Sequence, residues 1–340
     1  MTEVGNPAAV GETPLLELDL AIAPTVYAKV EWFNQPARSN GGGSVKTRIG
    51  KSMVDAARAS SVSLDDRTLL EASSGNTGTA VARFGATHGV DVEIVLPDDA
   101  GRGKIAAIEA ADAETTFVDA TRGYDAYVEK CRSIARENPE AYYYLDQYEN
   151  DANPGVHAGT TGPEIWEQTD GTVTHFVAGA GTGGTLVGVS HALRDRGVDI
   201  YGFEPPREGH DVAGLKHMHS QDVYTPGTYE PGAVETMSFI STDPAYRYVR
   251  GLRRRYEDQS PRVADTGQWS EPFVREHLRV DGDVLVGPSS GACLAMVDRL
   301  SEMGALDDGD VVVVPFPDRG DRYPERDLIG APDDEPRLFS

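Results

Sequence analysis

Lys46 stands near the start of a helical pattern, "GSVKTRIGKSMVDAAR" (43–58), directly behind a glycine run and Ser44, a helix-capping residue type. A cation in a helix's first turn meets the positive end of the helix dipole, and partial burial acts in the same direction, so both lower the amine's pKa. A lysine that is neutral part of the time is what a Schiff-base nucleophile requires. A solvated surface lysine is the plain alternative. Three further loops join a strand to a helix. In "EASSGNTGTA" (71–80), Ser73, Ser74, Asn76 and Thr77 stand among glycines and point N–H groups and hydroxyls into one concavity, suited to a carboxylate or phosphate. In "VAGAGTGGTLVG" (177–188), Gly179, Gly181 and Gly184 spell G-x-G-x-x-G, with Glu204 about one β-α-β unit later. That spelling suits a dinucleotide pyrophosphate with Glu204 on a ribose. It equally suits one phosphate monoester held by Gly181, Thr182, Gly183, Gly184 and Thr185. Two hydroxyls in so tight a loop, and its place in mid-chain, favour the single phosphate. In "LVGPSSGACLAM" (285–296), Ser289 and Ser290 follow a strand, with simple helix capping as the alternative, and Cys293 reads as packing.

The elements that must position these loops alternate. "RTLLEA" (67–72), "DVEIVLP", "ETTFVD" and "AYYYLDQ" read as strands, separated by the helical patterns "TGTAVARFGATHG", "GKIAAIEAAD" and "YDAYVEKCRSIAREN". A second set runs "VTHFVAGA", a helix over 184–197, "VDIYGFEP", a less regular stretch over 206–282, the strand "DVLVGP", a helix over 290–303 and the strand "DVVVVPF". Strands alternating with helices imply right-handed crossovers and parallel sheets. The expectation is an α/β chain of two lobes, each a mostly parallel sheet flanked by helices. The smaller lobe spans 40–150 and is mobile; the larger takes 8–39 plus 151–330; and 331–340 is a frayed tail.

Composition bounds the environment. In 340 residues, 55 acidic side chains face 31 basic ones, a net charge of −24, and only six of the basic residues are lysines. Such a field repels nucleic acid and anionic membranes and resembles the acidic surfaces of salt-adapted proteins. No apolar run is long enough for a bilayer and the N-terminus lacks a signal-peptide pattern, so a soluble cytoplasmic protein is expected. Two cysteines, Cys131 and Cys293, offer neither a disulfide framework nor a metal pair.

An amine, an anion-binding turn, a phosphate cradle and a serine at a strand end are together what pyridoxal phosphate needs. The sequence resembles the fold-type-II pyridoxal-phosphate enzymes, and within them the cysteine synthases. The resemblance rests on "GETPLLELD", "GSVKTRIG", "SGNTG", "NPEAYYYLDQYENDANPGVHAGTTGPEIW", "VAGAGTGGTLVGVS", "VGPSSGA" and "VVVVPFPDRGDRY", in that order. It implies that Lys46 forms the imine with the cofactor and later moves the substrate's Cα proton. It further implies that Asn76 bonds the ring's phenolic oxygen, that the 181–185 loop holds the phosphate, and that Ser289 meets the ring nitrogen. Ser73, Ser74, Asn76, Thr77 and Gln147 would grip the substrate carboxylate. A serine, unlike a carboxylate, leaves the ring nitrogen neutral, which favours loss of a β-leaving group over transamination. The implied reaction is β-replacement: L-cysteine from O-acetylserine or O-phosphoserine and a sulfur donor, through an α-aminoacrylate, in a homodimer.

Departures mark what the resemblance leaves open. Ala72-Ser73-Ser74 replaces the Pro-Thr-Ser of many relatives, and "PARSNGGG" (36–43) is longer. The stretch 206–282 differs most, and "GLKHM" (214–218) looks like the B-type branch. Lys216 and Arg207 could meet a phosphate leaving group, though solvated surface cations are the favoured reading. His210, His217 and His219 read as loop histidines rather than metal ligands, and "RRR" (253–255) as a solvated helix face. The alternatives are another activity on the same fold (cystathionine β-synthase or serine/threonine dehydratase), an NAD-binding oxidoreductase using Gly179–Gly184 and Glu204, and a cofactor-free binding or regulatory module.

Overall fold

The structure is a computed structural model and describes residues 10–34, 43–123, 125–219, 224–328 and 336–339. Most of "PARSNGGG" therefore lies outside the described residues. Among the described residues eleven strands form two sheets: β1 (Leu15–Leu18), β2 (Thr25–Val30), β3 (Thr68–Ala72), β4 (Val92–Pro97), β5 (Glu114–Val118), β6 (Tyr142–Tyr144), β7 (His175–Gly179), β8 (Asp199–Glu204), β9 (Thr236–Phe239), β10 (Arg262–Asp265) and β11 (Val311–Phe316).

The smaller sheet has the order β5-β4-β3-β6 and is wholly parallel. Both its faces are covered, which is why β4 is apolar at every position but Glu93. One face packs Ile49, Met53, Val81 and Ile108 from the helices Val45–Ala59, Asn76–His88 and Arg102–Glu109. The other packs Val128 and Cys131 from the helix Ala126–Glu137. The larger sheet has the order β10-β1-β2-β11-β7-β8-β9. All its pairings are parallel except those of β1, which runs antiparallel to both neighbours. The helices Thr242–Arg255 and Pro288–Glu302 cover one face over Trp32, Val314 and Phe316, and the helix Gly184–Leu193 covers the other over Phe176 and Ile200.

Three expectations are corrected. "DVLVGP" is not a sheet strand: Asp283 and Val286 make only isolated bridges, to Val280 and Arg319, and the chain then turns into the helix that begins at Pro288. The stretch 206–282 is more regular than it looks, with β9, β10 and the helices Thr242–Arg255 and Glu271–His277. The end of the chain is not frayed over 336–339: Leu338 is fully buried, its carbonyl accepts from Ala21 N at 2.7 Å, and Arg337 pairs with Asp298.

One buried polar cluster ties the two sheets together. Arg48, on the helix after Lys46, donates to both oxygens of Glu31 at the end of β2 and to both of Glu164, while Lys29 Nζ lies 2.8 Å from Glu164. Burial alone would raise the Glu164 pKa, but Arg48 and Lys29 outweigh it and hold the carboxyl well below its ordinary range.

Candidate active site

The four loops converge where open α/β sheets place ligands, at the carboxyl ends of their parallel strands. Residues after β3, β7 and β11 meet the first turn of the helix Val45–Ala59. That turn is fixed by a capping box. Ser44 Oγ accepts from Lys46 N at 3.2 Å, and Thr47 Oγ1 accepts from Ser44 N at 3.0 Å. Lys46 projects into a cavity that it shares with Asn76, Gly181, Thr182, Gly183, Thr185 and Ser289. Burial lowers the Lys46 amine from 10.5 to about 8.

The loop after β7 is built for a ligand close to the backbone. Gly183 has φ +88°, and a Cβ there would stand 2.7 Å from Tyr229. A Cβ on Gly184 would stand 2.0 Å from Asn153 Oδ1. The N–H groups of Gly181, Thr182 and Gly183 have no partner among the described residues. Side chains stiffen the loop from behind: Asn153 Nδ2 donates to Thr182 Oγ1 at 2.9 Å, and His157 Nε2 lies 3.2 Å from Thr185 Oγ1. Burial pushes the His157 pKa well down, so it acts as a neutral ring bridging Thr185 and Thr161. The Ser289 hydroxyl, near the start of the helix Pro288–Glu302, also lines the cavity without a protein partner among the described residues.

Ser73, Thr77 and Gln147, expected to bind the substrate carboxylate, hydrogen-bond within the protein. Ser73 Oγ accepts from Gly75 N at 3.2 Å and Gly78 N at 2.9 Å, and so shapes its own turn. Thr77 Oγ1 donates to Gln147 Oε1 at 2.8 Å. Gln147 Nε2 donates to Glu71 and to the Ala72 carbonyl. Neither Ser73, Thr77 nor Gln147 lines the cavity. Ser74 is exposed and lines an adjoining broad cleft between the sheets.

Asn76 reaches the cavity already held on both sides: its Nδ2 donates to Asp318 Oδ2 at 2.6 Å, and Arg322 Nη1 donates to its Oδ1 at 2.7 Å. Sequence reasoning gave no role to Asp318, although "PDRGDRY" directly follows β11, a strand end where such rules direct attention. Asp318 is 2 % exposed, and its Oδ1 has no protein partner.

Lys216 is not a solvated cation. It is 3 % exposed and forms an ion pair with Asp125, across the gap from the smaller sheet. Asp125 also accepts from Tyr224 N at 3.0 Å. Arg207 is exposed. Within "RRR", Arg253 Nε pairs with Asp283 at 3.0 Å and Arg255 with Asp19, so that face is tied down rather than simply solvated. Glu204 is fully buried and accepts from Met218 N and pairs with His219 Nδ1, each at 2.7 Å. It is unavailable to a ribose, which removes the geometric basis of the dinucleotide alternative. Among the described residues no cluster of His, Cys, Asp or Glu could hold a metal, and no helix is long and apolar enough to cross a membrane.

A half-buried amine of lowered pKa, a loop of unpaired backbone N–H groups, and a free serine hydroxyl around one cavity fit a phosphate-bearing aldehyde. The chain belongs to the pyridoxal-phosphate dependent enzyme family, whose pattern matches residues 7–318. Its similarity is to cysteine synthases in particular. It is 34% identical over 330 residues to cysteine synthase B of Escherichia coli (94% of each chain). It is 33% identical over 317 residues to the cysteine synthase of Aquifex aeolicus (92% of this chain, 88% of the relative). Among solved structures, O-ureido-L-serine synthase superposes with TM-score 0.76 at 26% identity, over 95% of this chain and 94% of the other. The O-acetylserine dependent cystathionine beta-synthase of Helicobacter pylori gives 0.76 at 26%, over 96% and 99%.

Proposed function

We propose that the protein forms L-cysteine by β-replacement on an activated serine, O-acetylserine or O-phosphoserine, with sulfide or another sulfur donor. The observation that carries this is the opening of Lys46, with its lowered pKa, into the same cavity as the unpaired N–H groups of Gly181–Gly183 and the Ser289 hydroxyl. When bound, pyridoxal phosphate supplies an electron-withdrawing ring that acidifies the substrate's Cα–H. The chain's own residues do the rest. The 181–185 loop and the helix start at Gly184 hold the phosphate by N–H donation. Asn76 and Ser289 would orient the ring, and a serine hydroxyl brings no counter-charge to its nitrogen. Lys46 Nζ would hold the aldehyde and serve as the general base for the substrate's Cα proton. The smaller lobe (40–150) closes over the substrate and keeps water from the reacting carbon.

Titrating the holoprotein with O-acetylserine, O-phosphoserine, and serine plus homocysteine tests the reading. Cysteine formed from an activated serine and sulfide supports it, whereas cystathionine or ketoacid as the sole product replaces it with the neighbouring activities. The family resemblance is also the support for a cytoplasmic homodimer, testable by fractionation and by sedimentation.

A further inference from the structure

The cleft beside the cavity is lined by the cations Arg102, Lys104, Arg322 and Arg326. Of the side chains that could grip a carboxylate there, Thr77 donates to Gln147, Gln147 to Glu71 and the Ala72 carbonyl, Asn76 donates to Asp318, and Ser73, whose hydroxyl accepts from Gly75 and Gly78, offers only a neutral O–H. Among the cations lining the cleft, Arg322 donates to Asn76 Oδ1 and to the Gly43 carbonyl, and Arg326 pairs with Asp211. Arg102 is exposed at the rim.

Lys104 is different. It lies on the helix Arg102–Glu109, is half-buried in the cleft, and has neither a hydrogen-bond nor an ion-pair partner among the described residues. In a chain with 55 carboxylates, an inward lysine with none in contact is unusual. Its stem passes 3.3–3.4 Å from where a Cβ on Gly75 would lie, so it is packed directly against the Ser74–Thr77 loop. Its Nζ stands 4.9 Å from the centroid of the Tyr323 ring, which holds the ammonium by a cation–π contact until something better arrives.

We propose that Lys104 is the charge partner of an oxyanion on the amino-acid substrate, bound between the 74–77 loop and Tyr323. The inference rests on the cysteine-forming reading of the same cleft and makes Lys104 a determinant of substrate affinity. Two groups share that chemistry: the α-carboxylate, present in every substrate, and the phosphate of O-phosphoserine. The stem is long enough to swing from the ring face to either. Burial lowers the Lys104 pKa, and the nearby carboxylates of Asp318 and Glu325 act against it.

The test compares holoenzyme with Lys104→Met and Lys104→Gln, using O-acetylserine and O-phosphoserine with sulfide. Spectral titration with L-alanine, which carries a carboxylate but no leaving group, supplies a readout independent of turnover. The expected result is a rise in KM of about tenfold at nearly constant kcat, partly restored in Lys104→Arg, as for a lost charge-assisted hydrogen bond. Equal losses on both substrates and on L-alanine assign the carboxylate. A loss confined to O-phosphoserine assigns the phosphate. Unchanged KM and L-alanine affinity, or a fall in kcat alone, overturns the proposal. Failure of the wild-type enzyme to turn over any activated serine would instead count against the underlying function.

Discussion

Asn76 Nδ2 and Asp318 Oδ2 meet at 2.6 Å across the gap between the two sheets, and Tyr323 OH donates to the same carboxylate oxygen at 2.5 Å. With Arg322 on its other end, the Asn76 amide has its orientation decided before any ligand arrives. Asp318→Ala removes the acceptor and frees the amide to rotate. Cofactor titration of the apoprotein is expected to show about tenfold weaker binding, the scale of one lost hydrogen bond to a charged group. Unchanged affinity would mean that Arg322 alone suffices.

Lys46→Ala is expected to give a colourless protein without activity, and no adduct on mass spectrometry after hydride trapping. In the wild type, only the neutral amine captures the aldehyde. With the Lys46 pKa lowered to about 8, the rate of chromophore formation on mixing apoprotein with cofactor should rise through that pH and level off above it. A rise centred near the ordinary lysine value would show that burial does not act on this amine.

Gly183→Ala places a side chain at φ +88° and against Tyr229. A loss of about 1–3 kcal/mol in stability is expected from the backbone alone, with cofactor retention falling further as Tyr229 is displaced. Thermal denaturation with and without cofactor separates the two effects.

Arg48→Met leaves Glu31 buried with one cation fewer and is expected to cost about 3–5 kcal/mol in denaturant unfolding. The acid side provides a second check. The folded Glu164 pKa lies below its ordinary 4.5, so its contribution is complete above that value and disappears as pH falls through the folded one. The wild type should therefore lose stability below about pH 4.5 more steeply than Arg48→Met.

Strands β3 to β8 and β11, with most of the helices between them, were legible because each is written in a few adjacent residues, as were the loops they lead into: the valine run of β11, the serines and glycines after β3, the glycines after β7. What could not be read was decided at a distance. Lys216 looks like a surface lysine until a residue 91 positions away brings it a carboxylate. Ser73 reads as a substrate donor, and nothing local says that its hydroxyl also accepts from Gly75 and Gly78. "DVLVGP" has a strand's composition, but it finds only isolated bridges, to Val280 and Arg319, among the described residues. Asp318 sits in a quoted motif, yet nothing local says that its partner is Asn76, 242 residues away.

Asp125 precedes the helix Ala126–Glu137 but does not cap it, because both its oxygens are committed to Lys216 and Tyr224 N on the far side of the gap. Were the sheets to part, the same carboxylate could fold back onto the uncapped N–H groups of its own helix, while the Lys216 ammonium regains water. Separation would then exchange one set of partners for another, so part of what breaking the ion pair costs is returned by capping the helix.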